Sequence, residues 1–288
     1  MTTMNSTESY QAIHAHLLDQ FPPEILFALI IVLMVMFIEI GFRIGRRPQA
    51  EPAKAQHSQV RAVMGAALGL TAFMLAFTFA TAQSHHETRV RGMLEETRMA
   101  NDAFLQAEFM PEPDRGEARR LLHSYMSDRL AIHELARQGR IEEVLPLIER
   151  AEDLHQALWK LAAQRTGLDM REGETQQLRA PFTQSVIGLM DVHSSRLEAV
   201  MLNRISYVIW VALYLTGALA MLIMGYQAGL VGKRSPFATV TLAFIFAVVM
   251  MLITDLDRPF MSLFDINDSV VQKTVERMDS LLAADKEF

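Results

Sequence analysis

Residues 62–82, AVMGAALGLTAFMLAFTFATA, decide how this chain is read. They hold no charged side chain, and a helix needs about 20 such residues to cross the ~30 Å hydrocarbon core of a bilayer. Three further apolar runs, 25–42, 205–230 and 237–254, are alike, with Glu39 their one charged residue. The four runs fall into two pairs around a polar middle. This predicts an all-α protein: two transmembrane hairpins (25–82 and 205–254) flanking a helical soluble domain (83–204). A tail (1–24) precedes them and a C-terminal segment (255–288) follows.

The rest of the composition mainly excludes functions. Net charge is −6, without a basic block, which argues against nucleic acid as a partner. The chain has no cysteine, so disulfides, thiolate nucleophiles and thiolate metal ligands are ruled out. No Gly-rich phosphate loop, Gly-x-Ser-x-Gly elbow or His-Glu-x-x-His pair is present, and an enzyme is not expected. The nine histidines are scattered. His14 and His16 lie in the tail, while His85 and His86 sit where the second span leaves the membrane. Neither pair makes a metal cage, so no metal and no cofactor is expected.

The first run is not read as a cleaved leader. The residues before it carry no Lys or Arg, and Arg43, Arg46 and Arg47 follow it as a stop-transfer pattern. Arg43, Arg46, Arg47, Lys54 and Arg61 charge the first short loop, and Lys233 and Arg234 the second. The positive-inside rule puts both loops in the cytoplasm of an inner-membrane protein, with the helical domain outside.

Past residue 82 no turn signal intervenes, so the second span is expected to run on as a rod until Pro111 and Pro113 stop it. A new helix is expected near Asp114, ending at Gly139. A third covers 141–165, despite Pro146, and closes at Gly167. From about Pro181 the chain reads as helix through Asn203 into the third span, with Gly188 its weak point.

Several residues are candidates for function. Gly65 and Gly69, and again Gly225 and Gly229, have the spacing that lets helix backbones approach closely. They serve either an oligomer or packing within the chain. Phe73 and Phe77 continue the face of Gly69, and in an oligomer this stripe would form apolar rings that gate by dewetting. The alternative is an ordinary packing or lipid-facing stripe. Glu39, inside the first run, is one helical turn from Arg43 and is expected to pair with it. Asp255, Asp257 and Arg258, ahead of Pro259 and Phe260, read as a polar elbow after the fourth span. It is expected to pin the C-terminal segment to the helical domain.

These stretches resemble a bacterial family of four-span proteins described as bestrophin-like. The resemblance rests on Leu75-Ala76-Phe77-Thr78-Phe79, Glu96 in the extension, and the break at Pro111 and Pro113. It continues through Arg120, Leu121, Leu122, Tyr125 and Arg129, then Asp191 and Arg196, and ends in Leu256-Asp257-Arg258-Pro259-Phe260. A more distant resemblance is to the bestrophins, pentameric anion channels with the same paired spans. It implies a homo-oligomer in the lipid bilayer that conducts small ions, with Gly69, Phe73 and Phe77 at the pore neck. The chain departs from that pattern at Thr78-Phe79, where many bacterial bestrophins have Arg-Asn, and at Met261, where a Gly is usual. The bestrophin resemblance also implies a cytoplasmic helical domain, opposite to the charge bias. The rival function is a membrane-anchored sensor or scaffold whose helical domain binds a partner without conduction.

Overall fold

The computed structural model describes residues 22–46, 54–163, 174–232, 236–258 and 268–285. Among them every regular element is a helix: α1 (Pro23–Gly45), α2 (Lys54–Gln106), α3 (Asp114–Arg137), α4 (Ile141–Ala163), α5 (Glu174–Leu202), α6 (Tyr207–Val231), α7 (Pro236–Asp257) and α8 (Ser269–Ala284). One 3-10 turn, Ala107–Phe109, follows α2. Four helices, α1, α2, α6 and α7, are long and apolar enough to span a membrane. The described residues divide into two compact units, one drawn from residues 22–86 and 204–258, the other from 87–203 and 268–285.

The first unit holds the apolar helices. α1 buries one stripe, Leu26, Ile30, Met34 and Ile38, at the i, i+4 spacing that puts side chains on one face. The stripe packs with Leu213 and Met221 of α6 and with Ala243, Phe246, Ala247 and Met250 of α7. Its other faces carry exposed Ile25, Leu29, Val32 and Met36, as expected of a helix that meets lipid. Glu39 accepts a hydrogen bond from Arg43 Nε at 2.8 Å, the pairing expected from their spacing.

α1 and α6 meet through glycines on both sides. A Cβ added at Gly41 would lie 2.0 Å from the Leu222 carbonyl oxygen, and one at Gly225 2.0 Å from that of Ile38. Gly45 and Gly229 are opposed a little less tightly, against the carbonyl oxygens of Tyr226 at 2.3 Å and Phe42 at 2.5 Å. The backbones touch, and only hydrogen fits between them.

Two boundaries differ from the sequence reading. The helix expected to run through Asn203 into the third span stops at Leu202 and resumes at Tyr207. The Ile205 N–H turns to the Asp257 carboxylate at 2.9 Å instead of a helical carbonyl. Pro181, expected at a helix start, lies inside α5. The expected closing residues Arg165 and Gly167 lie outside the described residues.

The second unit is a bundle of the remainder of α2 with α3, α4, α5 and α8. Its core includes Phe104, Leu122, Tyr125, Met126, Leu158, Phe182 and Leu189, all buried. α2 yields to the 3-10 turn ahead of Pro111, and α3 begins at Asp114 after Pro113, where proline has no N–H to continue the helical ladder. Gly188 lets α5 close on α2: a Cβ there would stand 3.1 Å from Met99 Sδ. α8 seats Val271, Val275 and Met278 in the core. It is flanked by acid–base contacts to α3, Asp279 with His123 at 2.7 Å, Asp268 with His133 at 3.1 Å, and Asp285 with Arg119.

Candidate functional site

The apolar window of α2 is 11% buried within the chain, against 33% for α1, 39% for α6 and 44% for the last span. Thr71 marks where α2 does meet a neighbour, its hydroxyl lying 3.3 Å from the Thr216 carbonyl of α6. Among the described residues Gly65 and Gly69 meet nothing: a Cβ added at either has no atom within 4 Å. Phe73 is 68% exposed and Phe77 63%. The two glycine pairs thus separate. Gly225 and Gly229 are used inside the chain, while Gly65 and Gly69 lie on a face that the described residues leave uncovered.

The polar residues after the fourth span take a different position from the expected elbow. Asp255 and Asp257 belong to the last turn of α7, and only Arg258 follows the helix. The helical pattern carries through because the Arg258 N–H bonds the Thr254 and Asp255 carbonyls, each at 3.2 Å. All three residues are buried. Besides the Ile205 N–H, Asp257 takes the Arg204 guanidinium at 3.6 Å, so what it anchors is the start of α6. Pro259, Phe260 and Met261 lie outside the described residues.

The second unit encloses a polar cluster. Glu96 of α2, 2% exposed, is surrounded by Tyr125 and Arg129 of α3 and by His193 and Arg196 of α5. Its Oε1 accepts the Tyr125 hydroxyl proton and lies 3.2 Å from Arg129 Nη2, and its Oε2 takes Arg196. Arg129 Nη2 also donates to the Tyr125 oxygen at 3.1 Å. A carboxylate so far from water is stable only because each oxygen has charged or hydroxyl donors. His133 sits 3.3 Å from Arg196, and the His155 ring packs 4.5 Å from that of His193 and 4.8 Å from Tyr125.

Burial and the neighbouring guanidiniums act together on these rings. Desolvation, with Arg196 and Arg129 adding to it, brings His133 down to about 4. Desolvation, with His193 and Arg129, brings His155 down to about 3. Burial also lowers His193, against the opposing pull of Glu96, and pushes the Tyr125 hydroxyl up. The imidazoles are therefore neutral near pH 7. No three His, Asp or Glu among the described residues are arranged to hold a metal ion.

The resemblance drew in Glu96, Tyr125, Arg129 and Arg196, and the structure unites them. Arg120 and Asp191, quoted with them, are exposed. The three histidines went unnoticed. Tyr125, Arg129 and His133, each four residues apart, already mark one polar face on a helix.

These features define a four-span, all-helical membrane protein with a helical unit built on a buried carboxylate. The chain belongs to the bestrophin-like family: the family model described as Bestrophin-like domain matches residues 27–271. No curated protein and no solved structure matches it.

Proposed function

We propose that the chain is a homo-oligomer of the bacterial inner membrane in which α2 helices from several copies surround a path for small ions, anions by resemblance to the bestrophins. The observation that carries this reading is the uncovered face of α2. Small residues at Gly65 and Gly69 are what close helix packing in a membrane requires, and among the described residues of the monomer they have no partner. Phe73 and Phe77 on the same helix would narrow such a path with apolar rings. Charge bias in the short loops supports a cytoplasmic location for them and an extracytoplasmic helical unit.

The absence of cysteine makes the assembly simple to test. In membranes, Gly69→Cys should form disulfide-linked chains on oxidation, whereas Leu29→Cys, on the exposed side of α1, should not. Native mass spectrometry should give a defined oligomer, and vesicles holding it should pass chloride faster than protein-free vesicles. A monomer, with no cross-link at residue 69, would end the reading. A defined oligomer with no flux of any small ion would leave the scaffold reading in its place.

A further inference from the structure

His193 presents one ring nitrogen to groups of incompatible demand. Its Nδ1 lies 3.1 Å from Glu96 Oε1 and 3.2 Å from the Tyr125 hydroxyl, and it also meets Arg129 Nη2. The single proton of Tyr125 is donated to Glu96, so the hydroxyl turns a lone pair toward the ring. An arginine can only donate and an ionised carboxylate can only accept. The same nitrogen therefore cannot satisfy both Arg129 and Glu96. With the proton on Nε2, Nδ1 accepts from Arg129 and leaves the Glu96 contact unmade. With a proton on Nδ1, the ring donates to Glu96, and the Arg129 contact becomes donor against donor and must break.

We propose that His193 is a proton-operated switch that exchanges Arg129 of α3 for Glu96 of α2 on a single nitrogen. The proton comes from solvent, and the imidazolium carries N–H on both nitrogens. Arg129 is not stranded by the exchange, because Tyr125 and Glu96 still accept from it. The groups gathered around the ring are Glu96 from α2, Tyr125 and Arg129 from α3, His155 from α4, and Arg196 from its own helix, with His133 of α3 beyond Arg196 at 3.3 Å. Asp268 stands behind His133 at 3.1 Å. At the ring itself the Arg129 and Arg196 guanidiniums outnumber the Glu96 carboxylate. Together with burial, that moves the exchange to more acidic pH than for a histidine in water. The part that moves is the tie between α3 and α5, the kind of local charge event that biases a packed element between two arrangements.

The test reads the ring directly, in the full-length protein with nitrogen-15-labelled histidine in lipid nanodiscs. His193→Asn, which places a non-titrating amide near Nδ1, identifies the signal by its disappearance. At pH 8 the His193 Nδ1 should show the shift of an unprotonated acceptor. As pH falls, both nitrogens should become protonated, with a midpoint below that of a solvent-exposed histidine. Arg129→Gln should raise this midpoint and Glu96→Gln should lower it, each by about 1 pH unit. A ring that only packs would not respond with opposite signs. An imidazolium or an Nδ1–H tautomer at pH 8 would overturn the proposal, as would the two variants moving the midpoint the same way. If a charge variant does not fold, the wild-type tautomer at pH 8 and its conversion at lower pH decide the matter alone.

Discussion

The Asp257 carboxylate accepts the Ile205 backbone N–H at 2.9 Å, across 52 residues of sequence. That bond holds the non-helical link between α5 and α6 to the last turn of α7. Asp257→Ala leaves a buried N–H and the nearby Arg204 guanidinium without this acceptor, at a cost of about 1–3 kcal/mol. Asp257→Asn keeps an oxygen for the N–H but loses the charge, and should cost less. Thermal melting of both variants checks the order; equal and negligible losses would leave the contact without weight.

The two glycine pairs should respond differently to a methyl group. Gly225→Ala drives a Cβ into the Ile38 carbonyl and should sharply reduce the yield of folded protein. Gly69→Ala meets nothing among the described residues of its own chain and should melt as a monomer like the wild type. Its effect should fall on association alone, seen as a shift toward smaller species in native mass spectrometry.

Phe73 and Phe77 test the ion path. If their rings narrow it, Phe73→Ala with Phe77→Ala widens and wets the constriction. Ion flux into vesicles should then exceed that of wild type at equal stoichiometry. A well-assembled double variant no more permeable than protein-free vesicles would remove this face from any pore.

The helical unit should be acid-labile. His133 falls to about 4 and His155 to about 3 when folded, both below the ordinary 6.5, so the unfolded chain binds more protons below that value. Stability from these groups is complete above pH 6.5 and declines as pH falls toward 4, for His133 by something on the order of 2–3 kcal/mol. His155→Phe removes one titrating ring whose Nε2 is buried without a hydrogen-bond partner among the described residues. This variant should melt near wild type at pH 8 and above it at pH 5. Matching pH profiles would contradict the assignment.

Topology is open to a direct check. Reporter fusions near Ala136 should register outside the cytoplasm, with fusions near Gln49 inside. The reverse pattern would favour the orientation implied by the bestrophins.

Much of the fold is legible because long apolar runs and prolines speak locally. Residues 62–82 announce a span, and Pro111 with Pro113 marks the end of the rod. The break at Asn203–Ser206 carries no glycine or proline, and is set instead by a carboxylate from a helix distant in sequence. The polar elbow differs from its expected place for a related reason: charged residues read as the end of an apolar run, yet α7 winds one turn further to bury Asp255 and Asp257. Of the polar cluster, the face of Tyr125, Arg129 and His133 can be read from spacing. That His193 meets Glu96 cannot, since the two sit on helices brought together only by packing.

At Gly41, Gly45, Gly225 and Gly229 the obstacle to a larger residue is main chain, not side chain. In an ordinary core contact a bulky substitution on one helix is rescued by trimming its neighbour. Here the obstacle is a peptide carbonyl, of Ile38, Leu222, Tyr226 or Phe42, and a carbonyl has nothing to trim. Suppressors of Gly225→Ala should therefore not arise at Ile38, whatever side chain replaces it, and a genetic search at the contacting positions should come back empty.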